Sequence, residues 1–144
     1  MNLNSEQQSI HKIIQNWCQA LEAKDINSIM ADYAEDVLIY DAIPPYKTES
    51  ASALKQIWDN CLPYFPKKFL VETRDLKIKA SYDLAFASFL IHLTPVGEDS
   101  PCGQTWLRVT SCYEKRDGVW KIVHDHVSIP FDPMTNMACM IENP

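Results

Sequence analysis

The sequence has 144 residues, 47% hydrophobic and 22% charged, the size and balance of one folded domain. A net charge of −6 with scattered Lys and Arg argues against a nucleic-acid partner, because a phosphate backbone demands a positive surface. Three glycines leave little material for a phosphate-cradling loop, and no apolar run is long enough to span a bilayer.

The segment Met1–Glu6 lacks the basic and apolar stretches of a signal peptide. The five cysteines, Cys18, Cys61, Cys102, Cys112 and Cys139, are widely spaced and form no C-x-x-C pair, as expected of reduced, buried thiols. Both features point to a cytoplasmic protein.

In chain order, Ile10, Ile13, Ile14, Trp17, Cys18 and Leu21 recur at helical spacing behind a cap at Asn4 or Ser5. Asp25 can cap a short second helix with Ile26, Ile29, Met30 and Tyr33 as its stripe. Val37 to Asp41 is a brief β-run ended by Pro44-Pro45. Ser50 to Phe65 forms a third amphipathic helix through Leu54, Ile57, Trp58, Cys61 and Leu62. After Pro66 the pattern alternates: Phe69–Ala80, Leu84–Thr94, Gln104–Lys115 and Val119–Ile129 are predicted strands joined by hairpin turns. Three helices followed by a run of strands is α+β order, with a core over about residues 5–130 and a short tail from Pro130 that packs on the sheet or frays.

On the last strand, Trp120, Ile122, His124, His126 and Ser128 share one face if alternation is strict. Lys121 and Asp125 lie opposite, so the face carrying both histidines is predicted to be the inner one. The preceding strand offers two choices: Leu107 and Val109 as core, or Trp106 and Arg108 turned inward as an aromatic wall and a fixed cation for a polar ligand. With the second choice, apolar outer faces require cover, which suggests a sheet-to-sheet homodimer.

The segment Asp32–Asp41 followed by Pro44-Pro45 resembles the helix-to-strand transition of the NTF2-like superfamily. Trp106-x-Arg108-x-Thr110 together with Asp117 to Pro130 resembles its SnoaL-like, ketosteroid-isomerase-homologue branch. The resemblance runs from the first helix to Pro130. It implies the cystatin-like cone: three helices on a strongly curved, mostly antiparallel sheet, a cavity at the wide end, and usually a dimer. It also implies that Asp41 stands where ketosteroid isomerases keep their general base. Trp17 falls at or near the first-helix tyrosine of their oxyanion hole, and the second acid of that hole has no match.

The functional expectations follow. The leading one is a small-molecule-binding protein, an isomerase, cyclase or hydrolyase acting on a carbonyl-bearing substrate. Asp41 is its base and His124 or His126 its acid or hydrogen-bond donor. Arg108 orients the substrate or pairs with Asp41, and Trp17, Tyr33, Tyr40, Trp58, Trp106 and Ser128 line the pocket. The alternative is a non-catalytic ligand sensor or dimeric interaction module. A further alternative is a metal-dependent enzyme, although H-x-H alone is a weak metal signal, and neither metal nor cofactor is expected.

Overall fold

The computed structural model describes residues 2–144. Helix α1 spans Ser5–Glu22 and buries Ile10, Ile13, Ile14, Ala20 and Leu21. Asn4 starts it through a reciprocal cap: its side-chain oxygen accepts from the Gln7 amide at 2.9 Å, and the Gln7 side chain accepts from the Asn4 amide at 3.0 Å. Asn4→Ala is therefore expected to cost about 1 kcal/mol, measured as a lower urea midpoint at unchanged slope.

Helix α2, Ile26–Met30, is capped by Asp25, and α3, Ala51–Cys61, by Ser50. The predicted third helix ran on to Phe65. Its α-helical part ends at Cys61 because Pro63 offers no amide to the ladder, and Leu62–Tyr64 tightens into a 3₁₀ turn.

Strand β1 runs Tyr33–Tyr40, four residues earlier at its start than the predicted Val37. Tyr33 joins the sheet opposite Ile122 instead of extending the stripe of α2. Strands β2 (Phe69–Ala80), β3 (Leu84–Pro95), β4 (Leu107–Arg116) and β5 (Val119–Ser128) follow at almost the predicted positions. The stretch before β4 instead makes a 3₁₀ turn at Pro101–Gln104. Between β4 and β5, Asp117 and Gly118 both adopt positive φ, 51° and 78°, as a tight two-residue hairpin requires.

The five strands are ordered β1-β5-β4-β3-β2, with β1 parallel to β5 and every other neighbour antiparallel. This is the cystatin-like, NTF2-like α+β fold. The helices cover one face, where Ile10, Ile14, Val37, Leu54, Ala87, Val109, Tyr113 and Ile122 share a core. The tail forms the small hairpin of β6 (Phe131–Asp132) and β7 (Met137–Ala138), and then Ile141 bridges back to Trp106. Among the described residues no helix is long and apolar enough to cross a membrane.

Candidate functional site

The site is set by one extra residue. Across the β4–β5 ladder Tyr113 faces Ile122 and Cys112 faces His124, so Val123 has no partner and forms a β-bulge. A single unpaired residue exchanges the faces of everything after it. Trp120 and Ile122 point into the core as predicted, but from the bulge onward the inward positions are Asp125 and Val127. His124, His126 and Ser128 point away from the helices.

Asp125 thus reaches the interior, where only 9% of its surface stays accessible. Two hydroxyls hold its two oxygens. Ser111, its cross-strand partner on β4, donates to one at 2.5 Å, and Tyr33 from the start of β1 donates to the other at 3.0 Å. None of the ion pairs among the described residues includes Asp125; they join Lys47–Glu49, Lys55–Asp59, Lys115–Glu6 and Arg116 to Asp36 and Glu114. A buried carboxylate without a cation favours its neutral form. Burial accordingly pushes the Asp125 carboxyl above its ordinary range, while the Ser111 and Tyr33 hydroxyls and His124 pull it down and Asp41 adds a smaller upward push. Burial, then the nearby Asp125 charge, holds the Tyr33 and Tyr113 hydroxyls well above the usual phenolic value, so both stay protonated.

The helices supply the facing wall. Trp17 of α1 and Trp58 of α3 meet edge to face with ring centroids 6.0 Å apart. The indole Nε1 of each is buried with no hydrogen-bond acceptor. An orphaned buried donor costs about 1–3 kcal/mol, so two in contact are a concentrated expense. Cys18, beside Trp17 in sequence, has its thiol pushed up to about 11, chiefly by burial and then by Glu22, and is no nucleophile at neutral pH. Asp41 stands on the exposed rim just past β1. Its surroundings push its carboxyl up by desolvation, and the Ala42 amide, donating at 2.7 Å, and that of Ile43 oppose this.

Of the sequence candidates, Trp17, Tyr33 and Trp58 share one core cluster, Tyr33 bonds to Asp125, and Asp41 at the rim acts on Asp125 through its charge. The others are corrected. Tyr40 lies on the outer face with His124 and His126, its ring edge-on to theirs at 5.2 and 5.6 Å. The His124 Nδ1 is bonded to the Leu38 carbonyl at 2.7 Å.

Trp106 is buried on the outer face, stacked on His92 at 5.0 Å and under the Arg74 guanidinium at 4.7 Å, with the tail strapped across it. Arg108 is exposed there and donates to the Ser128 hydroxyl at 3.2 Å, so neither Asp41 nor any buried anion neutralises it. The first of the two choices for β4 is the observed one: Val109, Ser111 and Tyr113 are inside.

Two clefts of about 440 and 490 Å³ flank the 3₁₀ turn at Pro101–Gln104; neither is lined by Asp125 or its partners. Among the described residues, no group of three or more His, Cys, Asp and Glu side chains is arranged to hold a metal ion.

Sequence reasoning missed Asp125, Ser111 and Tyr113. The available signal was Asp125 on the face assigned outward, at a position that a one-residue slip turns toward Ser111 on the Leu107 and Val109 face of β4.

Residues 10–132 match the SnoaL-like domain family. The chain belongs to that family. An NTF2-like protein of unknown function from Pseudomonas putida KT2440 is 31% identical, with 97% of each chain covered and a TM-score of 0.89. A protein provisionally named a ketosteroid isomerase, from Parabacteroides distasonis, is 18% identical over 92% of both chains, at a TM-score of 0.69. One provisionally named a dehydratase, from Streptomyces avermitilis, is 12% identical over 89% of this chain and 98% of that one, at 0.74. At such identities the last two share the SnoaL-like chain's fold. No curated protein matches its sequence.

Proposed function

We propose that this SnoaL-like chain is a proton-transfer enzyme acting on a small, largely apolar, carbonyl-bearing molecule, with Asp125 as its acid–base group. The observation that carries this reading is a carboxyl in the core, in no ion pair among the described residues, held on both oxygens by Tyr33 and Ser111. A group that exchanges a proton efficiently needs a pKa near the working pH, and burial moves Asp125 in that direction. The names given to two structural neighbours, a ketosteroid isomerase and a dehydratase, belong to the same chemistry of removing a proton next to a carbonyl.

In the ionised state an Asp125 oxygen takes a proton from the carbon between the carbonyl and a double bond. The C–H electron pair moves into the new double bond of a dienolate, and the charge collects on the carbonyl oxygen. The protonated Asp125 then returns the proton at the far carbon, giving the conjugated ketone and restoring the carboxylate. Tyr33 and Ser111 hold the carboxyl in one orientation throughout, which favours attack from a fixed geometry.

The test is conversion of a β,γ-unsaturated cyclic ketone into its conjugated isomer, followed by the ultraviolet absorbance of the product. The proposal expects turnover that depends on Asp125. Equal rates for the native chain and Asp125→Asn would remove it.

A further inference from the structure

The two indole N–H groups remain unexplained by the fold. Trp17 and Trp58 come from different helices, touch each other, and leave both Nε1 atoms buried without an acceptor. The two other tryptophans differ: the Trp120 indole donates to Glu6 at 3.0 Å, and the Trp106 Nε1 is not among the buried unpaired atoms. Packing alone would be served by phenylalanine, which fills much of the same space and brings no polar atom. Trp17 and Trp58 both pack against the core cluster that contains Tyr33. Tyr33 in turn donates to Asp125. The unpaired donors therefore share a core with the tyrosine that holds the acid–base group.

A carbonyl oxygen has two lone pairs and can accept from two N–H groups at once. Donors in a water-poor site, fixed before the substrate arrives, act most strongly where negative charge develops on that oxygen. Indole N–H suits this task because it donates without ever giving up its proton to the enolate.

We propose that Trp17 and Trp58 form a clamp that donates both indole N–H groups to the carbonyl oxygen of an otherwise apolar substrate. The clamp selects molecules with an acceptor oxygen over hydrocarbons of the same shape. It deepens the proton-transfer reading, since the oxygen it holds is the one that gains charge when Asp125 removes the proton.

The experiment compares 1-tetralone with tetralin, which has the same ring system and no oxygen, in ¹H–¹⁵N spectra of the indole side chains. Trp17→Phe and Trp58→Phe assign the two resonances. The expected result is downfield movement of both N–H signals with tetralone alone, and binding at least about tenfold tighter than tetralin. Trp58→Phe should lower tetralone affinity by a larger factor than tetralin affinity and so erase most of that preference; where it fails to fold, Trp17→Phe serves the same purpose.

Equal binding of the two compounds, binding of neither, or unmoved indole signals would overturn the clamp. Asp125→Asn keeps the indole shifts if the clamp is right. A chain that shows the shifts but does not isomerise the unsaturated ketone therefore retains the clamp and loses the catalytic reading.

Discussion

Asp125→Asn is expected to lower turnover by about 10²- to 10⁴-fold, the range that a positioned general acid–base group supplies. The substitution is close to isosteric. The asparagine carbonyl can accept from Ser111, and its amide can donate to the Tyr33 oxygen, so the local bonding survives with one bond reversed. A loss of activity with native circular dichroism and an unchanged melting temperature is then a loss of chemistry.

The comparison variant is Asp41→Asn. Asp41 is exposed at the rim and acts on Asp125 only through its charge, so its replacement should cost much less than that of Asp125. The reverse order would return the base to Asp41, where the family resemblance puts it. His126→Ala should leave turnover near native, because its ring packs against Tyr40 on the opposite face of the sheet.

The second large effect is on stability. Tyr33→Phe combined with Ser111→Ala strips Asp125 of both donors. Bonds to a charged group contribute about 1.5–3 kcal/mol each, and neutral ones about 0.5–1.5, so the double variant should lose about 3–6 kcal/mol where Asp125 is ionised and about 1–3 where it is neutral. The pH dependence has a definite sign. In the unfolded chain an aspartate titrates near ~3.9, and in the folded chain burial raises the value. The stability contributed by the bound proton is present in full below the unfolded value and is lost as pH rises through the folded one. Removing two groups that pull the carboxyl down raises the folded value further. The stability gap between native and double variant should therefore widen from pH 4 to pH 8 in urea titrations. A gap that narrows with rising pH would mean that the two hydroxyls favour the protonated carboxyl and not the ion.

Much of the fold is legible because its signals are local. The stripe of α1, the caps at Asn4, Asp25 and Ser50, and the alternation of β2 each depend on neighbours within one turn or one pleat. The helices and four long strands follow from these. The candidate site is less legible because it depends on register, and register is decided between strands.

Counting by twos from Trp120 leads to His124 and His126; the ladder with β4 interrupts the count at Val123 and delivers Asp125 instead. Nothing in the run Trp120–Ser128 marks Val123 as the extra residue, since a valine fits any strand position. Trp106 fails for a similar reason. What buries it is Ile141, thirty-five positions along the chain, together with Arg74 and His92 from other strands. Trp17 and Trp58 follow helical periodicity, which is local, whereas Tyr33, read as part of the α2 stripe, belongs to β1, and what each faces depends on contacts between elements.

The bulge at Val123 buries Asp125 without an ion-pair partner among the described residues and so raises its hold on a proton. The direct measurement is a ¹³C titration of the aspartate side-chain carboxyls across pH 3 to 9, with Asp125→Asn identifying the resonance. The account predicts a midpoint clearly above the ordinary aspartate value of about 3.9, with Ser111→Ala moving it higher. A midpoint at or below about 3.9 would contradict it, since Asp125 would then be a fixed anion with a structural role.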